Sequence, residues 1–393
     1  MTDPGRNSTA ESSSSPQSLP TRDYLVLPLL ALATILVMLG ASEILTRLIW
    51  AEQQANPCIV DDPIAGARFR PHCIVRSKNA EGPWTTYQYN QCGYRSPTSC
   101  GPKPSGTIRI AILGSSVSQG LYVPYEDTFF ARTSTALSRI CNRPVDVQNL
   151  GVPGTTPLDA YSRVNEALAL TPDVVLYLLA PFDLERRIDP KALRDRNNPA
   201  RTSSLAAVHL TLSPLKRLQA MLIHARTVLV AQHYLFRNKD TFLRMYMLYG
   251  DKADFLRQPF TAAWQQRFAD LDLIISDMAA KVRVAGVPLI VIPVPSRAQA
   301  ALLSSQQRPP HVDPFAFGFQ IETIASNHGA AYVDLMEPFS SIPHSEDLFY
   351  VVDGHVTADG QGVIARHLSQ KLLDGSVSAL SHCRAPQSAA REH

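Results

Sequence analysis

Apolar residues occur along this chain in two alternating patterns. Short runs rich in branched residues stand at 108–113 (IRIAIL), 145–150 (VDVQNL), 174–179 (VVLYLL), 289–294 (LIVIPV) and 331–335 (AYVDL), and each predicts a buried strand. Helical segments are expected between them, at 128–138 and 157–168. In the clearest helix, Phe268, Leu271, Ile275, Met278 and Val282 recur at spacings of three and four, leaving charged residues on the other side. Gly286 then stops that helix before the next apolar run. The alternation predicts an α/β fold of three layers, with a mostly parallel central sheet and functional loops at its carboxyl edge.

A different pattern occupies the N-terminus. Residues 24–42 carry no charged side chain and are dominated by Leu, Ala, Val, Ile and Met, with Pro28 near the start. As a helix they would reach about 28 Å, close to the roughly 30 Å hydrocarbon core of a bilayer. The helical pattern continues through EILTRLIWAEQ and shows no small-residue cleavage site, so a retained transmembrane anchor over 24–46 is expected in place of a cleaved signal peptide. Trp50 suits the membrane interface. Residues 1–23, rich in Ser, Pro and Thr, read as a disordered cytoplasmic arm. Residues 47–106 are turn-rich and read as an extracytoplasmic lead-in or covering segment. The α/β domain is expected over 107–377, with an insertion at 183–259 and a C-terminal tail at 378–393.

The insertion has two characters. Its first part carries Arg186, Arg187, Lys191, Arg194, Arg196 and Arg201 among acids, which reads first as a solvated surface and second as a contact for polyanionic glycan or lipid headgroups. Its later part holds Tyr234, Phe236, Phe242, Met245, Tyr246 and Tyr249, as core or as the wall of a lid.

Six cysteines bear on the compartment: Cys58, Cys73, Cys92, Cys100, Cys141 and Cys383. Local spacing suits Cys58 with Cys73 and Cys92 with Cys100, and Cys141 and Cys383 could tie the tail to the domain, while the sequence leaves the connectivity open. They form no zinc pattern, and such bridges suit an oxidising compartment. Arg6 and Arg22 before the anchor barely outweigh Arg47 after it. Orientation therefore rests on the cysteines and the expected substrate environment. The expected placement is single-pass in an inner or plasma membrane with the large domain extracytoplasmic, periplasmic in a Gram-negative cell, and the lipid bilayer as one partner. A net charge of +3 over 393 residues argues against nucleic acid. No dinucleotide-binding glycine motif or Walker sequence occurs, and neither cofactor nor metal is expected.

Candidate chemistry lies in two polar turns. LGSSVSQG, residues 113–120, follows the first strand, and Gly114 permits a sharp turn beside small neighbours. Residue type alone leaves Ser115, Ser116 and Ser118 as alternatives. Near the other end, YVVDGHVTADGQGVIARHL places Asp353 and His355 either side of Gly354, in a bent loop ahead of an amphipathic run. A neutral serine needs an imidazole to accept its proton, and the imidazole needs a carboxylate to fix its tautomer.

Together these segments resemble the first and last sequence blocks of the SGNH hydrolases, the GDSL family of esterases and acyltransferases. The resemblance, over residues 107–377, implies an SGNH-hydrolase-like domain with Ser116 as nucleophile and Asp353 and His355 as the dyad that activates it. The family more often has two residues inside the dyad, and an aspartate where this chain has Ser115. NLGVPGTT, residues 149–156, resembles a second block and implies the Gly154 N–H as an oxyanion donor beside that of Ser116. In the third block, DVVLYLLAPFDLERR, the family's asparagine falls near Phe182, which cannot donate a hydrogen bond. Asp183 beside it stands as a structural or substrate-binding candidate. The implied activity is ester hydrolysis or acyl transfer without a cofactor, acting on O-acetyl groups of an extracytoplasmic envelope polysaccharide. Transfer would need an acetyl donor or a membrane acyl-transfer partner outside the cytoplasm. Phe182 supports a second reading, a catalytically weakened glycan-binding or scaffold protein that keeps the fold.

Overall fold

The computed structural model describes residues 20–54, 56–186, 188, 190–195, 225–305, 308–375 and 377–383. The chain divides into two units, Met1–Ile49 and Trp50–His393. In the first, the helix Asp23–Ile49 runs for 27 residues with no buried side chain, and by length and composition it can cross a bilayer. Arg47 Nε donates to Glu43 one turn earlier, at 2.7 Å.

In the second unit the strands are, in chain order, β1 (Ile59–Asp62), β2 (Gly66–Phe69), β3 (Ile74–Lys78), β4 (Trp84–Gln88), β5 (Ile108–Gly114), β6 (Val145–Asn149), β7 (Val174–Leu179), β8 (Leu289–Pro293) and β9 (Ala331–Tyr332). β5 to β9 form one parallel sheet in the order β6-β5-β7-β8-β9. Successive side chains in a strand point to opposite faces, so each central strand feeds two cores. Ile108, Ile110 and Ile112 of β5 enter one apolar cluster, and Ala111 and Leu113 the other. β7 divides Val174, Leu176 and Leu178 from Val175, Tyr177 and Leu179 in the same way. Burial on both faces explains why these strands read as continuous apolar runs.

Helices cover both faces, giving the expected three-layer α/β architecture. Phe129–Cys141 and Ala358–Leu372 pack on one side; Pro157–Ser162, Val164–Ala169, Ala262–Val284 and Ala316–Asn327 pack on the other. The helix Ala262–Val284 buries Phe268, Leu271, Ile275, Met278 and Val282, the residues whose spacing predicts it. Burial of each such side chain is worth about 1.5–3 kcal/mol. A buried ion pair lies in the sheet: Arg109 on β5 donates to Asp146 on β6 at 2.7 Å, and to the carbonyls of Gly101 and Leu170. Those bonds offset the cost of burying it.

Several expected boundaries move. Thr128 caps its helix and is not part of it, its side chain accepting from Ala131 N. The single helix expected over 157–168 breaks at Arg163, which has φ −95° and ψ 1°. The last strand shrinks from 331–335 to Ala331–Tyr332, because the Asp334 side chain accepts from Met336 N at 2.8 Å and turns the chain into the helix Met336–Ser340. The lead-in segment is two antiparallel hairpins, β1 with β2 and β3 with β4, around its own cluster of Cys58, Phe69, Val75, Tyr87 and Tyr89. Disulfides join Cys58 to Cys73, Cys92 to Cys100 and Cys141 to Cys383.

In the insertion, Phe236 and Phe242 are core residues with ring centroids 5.7 Å apart, whereas Tyr234, Met245 and Tyr249 are exposed. Arg187, Arg196, Arg201, the side chain of Lys191, the arm before residue 20 and the tail after residue 383 lie outside the described residues.

Candidate active site

The sheet order places the site. The chain leaves β5 toward β6 on one side and returns to β7 on the other, so the loops after β5 and β7 diverge and leave a crevice at the carboxyl ends. Gly114 closes β5 at φ +141°, and a Cβ there would stand 2.3 Å from the Leu178 carbonyl of β7. Only glycine fits that turn, which hands the chain to the short helix Ser116–Gln119.

The three serines of the turn go to three different places. Ser118 Oγ donates to the Ser115 carbonyl at 2.7 Å and is buried in the turn itself. Ser115 Oγ is buried beside the Asp183 carboxyl, outside full hydrogen-bonding geometry with any described residue. Ser116 Oγ lies 2.8 Å from His355 Nε2. On the other side of the ring, His355 Nδ1 lies 2.6 Å from Asp353 Oδ1. A carboxylate can only accept, so Nδ1 carries the proton and Nε2 is left to accept from the serine hydroxyl.

Asp353 and His355 stand together because their loop is bent. Gly354 adopts φ +82°, Gly354 N donates to the Tyr350 carbonyl at 3.0 Å, and Asp353 Oδ1 also accepts from His355 N at 3.1 Å. A single intervening residue therefore suffices for the pair. Tyr122 and Phe182 flank the imidazole, with ring centroids 5.6 and 5.7 Å away.

Burial alone would lower the imidazole pKa, but the Asp353 charge and hydrogen bond, helped by Asp183, raise it above its ordinary 6.5. For Asp353, burial alone would raise the carboxyl; the His355 charge and hydrogen bonds, with the nearby Asn79 amide, hold it below its ordinary 3.8. Asp183 goes the other way. Its burial pushes the carboxyl up to about 7, against the opposing pull of the Ser115 hydroxyl, the Ala180 N–H and the His355 charge. Asp183 Oδ2 accepts from Ala180 N at 2.8 Å and so caps the turn Pro181–Leu184. That cap gives it a structural task at the wall of the site.

Gly154 and Ser116 line the same cavity, of about 530 Å³, with Thr155, Phe182, Asp183 and His355; Glu185, Arg186, Asp251 and Lys252 form its charged rim. Neither the Ser116 N–H nor the Gly154 N–H has an acceptor among the described residues. Arg186 Nη1 donates to the Gly154 carbonyl at 2.8 Å. A larger cavity, about 610 Å³, adjoins at Arg186 and is walled by Pro157, Leu184, Ile188 and Leu271, but it contains none of Ser116, Asp353 and His355. Among the described residues, no group of three or more His, Cys, Asp or Glu side chains could hold a metal ion.

Two supports of the site have no sequence signal of their own. Arg95 is buried in the lead-in segment and donates to the carbonyls of Gln119, Gly120 and Val123, holding the loop that follows the serine helix. Glu81 accepts from the backbone of Val352 and Asp353. Both act across long separations in the chain.

No protein-family model matches this sequence, and no curated protein matches it. Solved structures similar to the chain include a lipase/acylhydrolase from Enterococcus faecalis, 13% identical, covering 67% of this chain and 95% of its own, with a TM-score of 0.37. A catalytic mutant of an acetylxylan esterase from Geobacillus stearothermophilus is 11% identical, covers 67% of this chain and 94% of its own, and has a TM-score of 0.40. A GDSL-like lipase from Bacteroides thetaiotaomicron is 12% identical, covers 67% of this chain and 87% of its own, and has a TM-score of 0.31.

Proposed function

We propose that this protein is a serine esterase or acyltransferase of the SGNH type that removes or transfers O-acetyl groups on an extracytoplasmic polysaccharide. The observation that carries the reading is the unbroken chain of hydrogen bonds from Ser116 through His355 to Asp353. As Ser116 Oγ attacks the ester carbonyl, His355 Nε2 takes its proton and Asp353 stabilises the imidazolium. The N–H groups of Ser116 and Gly154 receive the oxyanion. The carbonyl carbon then releases the sugar oxygen, which takes the proton from His355 and leaves acetyl-Ser116. Water or a second sugar hydroxyl gives its proton to His355, attacks the acyl carbon and frees the serine, so hydrolysis and transfer use the same groups.

Three further features support the substrate class. The charged and hydroxyl-bearing rim of Thr155, Glu185, Arg186, Asp251 and Lys252 suits a sugar better than a long lipid chain. The helix Asp23–Ile49 suits attachment to a membrane, and three disulfides suit its outer side. Phe182 leaves the oxyanion to backbone donors alone, and loss of one donor costs about 3 kcal/mol, which slows turnover without abolishing it.

The test is acetate release from an acetylated polysaccharide by the intact protein, Ser116→Ala and His355→Ala, with phosphonate trapping and peptide mass mapping of the intact protein. Release by the intact protein alone, and modification at Ser116 alone, are expected. Equal release by all three sinks the proposal. Glycan binding without turnover in the intact protein would favour the scaffold reading.

A further inference from the structure

The loop bearing Asp353 and His355 is braced from outside as well as by its own bonds. Arg297 Nη1 donates to the Val351 carbonyl at 2.7 Å, and the Tyr350 hydroxyl donates to the Tyr122 carbonyl at 3.1 Å. The support that reaches Asp353 itself comes from Glu81, in the turn between β3 and β4. Glu81 Oε2 accepts from Val352 N and from Asp353 N, each at 2.9 Å. Its Oε1 accepts from Val352 N at 3.1 Å and lies 2.6 Å from His233 Nδ1, on the helix Arg226–Phe236.

The Glu81 side chain is only 2% exposed. A carboxylate taken out of water is costly unless its oxygens find donors, and here both oxygens have them. Two of those donors belong to the residue beside the catalytic carboxylate and to that residue itself. Moving Glu81 therefore moves the Asp353 backbone, and through it the aim of His355.

We propose that Glu81 is a positioning residue for the Asp353–His355 pair, acting through the N–H groups of Val352 and Asp353, with His233 as its partner. The inference rests on the serine-nucleophile reading above. It makes the lead-in segment part of the machinery that sets the imidazole, in addition to a cover over it.

Glu81→Ala leaves two N–H groups without their acceptor, whereas Glu81→Gln keeps an oxygen for them and turns an amide toward His233. The experiment uses the full-length protein in detergent and measures kcat and KM on an acetyl ester and the rate at which a phosphonate modifies Ser116. For Glu81→Ala we expect kcat and the modification rate to fall on the order of 10- to 100-fold, with KM within about twofold, as for a small misplacement of a catalytic group. Glu81→Gln should restore both rates to within about threefold of the unaltered protein, a rescue that loss of general stability would not give. If Glu81→Ala does not fold, Glu81→Asp is read the same way, since it keeps the charge and withdraws the oxygens by one methylene. A folded Ala or Asp variant with unchanged rates overturns the inference, and so does failure of Gln to restore them. Unmodified Ser116 in the unaltered protein overturns the serine reading and this inference with it; modified Ser116 with unaffected variants overturns this inference alone.

Discussion

His355 Nε2 stands 2.8 Å from Ser116 Oγ although 239 positions separate the two residues in the chain. The serine is delivered by the first strand of the central sheet, and the imidazole by the loop before the helix Ala358–Leu372 that packs on the same core as Phe129–Cys141. Their meeting depends on the whole fold, so unfolding and loss of reactivity at Ser116 should coincide.

The pH dependence follows from the direction of the His355 shift. The proposed reaction needs neutral imidazole, so kcat/KM should fall as pH drops through a value above the ordinary 6.5. Asp353→Asn removes the charge that raises the imidazole and should move that limb to lower pH. It also lowers kcat on the order of 100- to 10,000-fold, because a neutral amide no longer enforces the tautomer or stabilises the imidazolium. The raised imidazole favours folding below about pH 6.5, a contribution lost as pH rises through the folded-state value. A pH–rate profile of both proteins checks the first two expectations, and a pH series of melting curves the third.

Asp183 should behave in the opposite sense to Asp353. Its carboxyl titrates at about 7 in the folded protein and near 3.8 once unfolded. Between those values the unfolded chain binds fewer protons than the folded one, so stability falls as pH rises. Asp183→Asn keeps an oxygen for Ala180 N and removes this titration. It should be near neutral at pH 4 and stabilising by about 1–4 kcal/mol at pH 8. Denaturant melts of both proteins at the two pH values measure it; equal differences at both would contradict the assignment.

Gly114→Ala should be among the most damaging small substitutions in the core. The added methyl would meet the Leu178 carbonyl at 2.3 Å from a backbone with φ +141°. Relief requires β5 and β7 to part, at a cost of about 2–4 kcal/mol. A large loss of soluble protein or melting temperature is expected, with Ser116 reactivity in the surviving fraction reduced.

Much of the frame was legible because of how it is buried. β5, β7 and β8 are covered on both faces, and so announce themselves as continuous apolar runs. β3 and β4 gave no such signal: the residues they bury include Ser77, Thr85 and Tyr87, which an apolar count passes over. At the site, residue chemistry pointed to a serine, an imidazole and a carboxylate, but the choice among Ser115, Ser116 and Ser118 came from resemblance. In space they separate: Ser118 turns back on the Ser115 carbonyl, Ser115 lies buried beside Asp183, and Ser116 alone of the three meets His355. The roles of Glu81 and Arg95 were invisible because the loops they hold are gripped through backbone groups, which carry no residue identity for a sequence to display. The Glu81 bond to Asp353 also spans 272 positions.

The bridge between Cys141 and Cys383 has a consequence for a cut chain. It spans 242 positions, with His355 inside the span and Ser116 before it. A single peptide-bond cut between residues 184 and 225 would put the serine and the imidazole on different fragments, yet each fragment would retain one of these two cysteines. The fragments would migrate together until a reductant separated them.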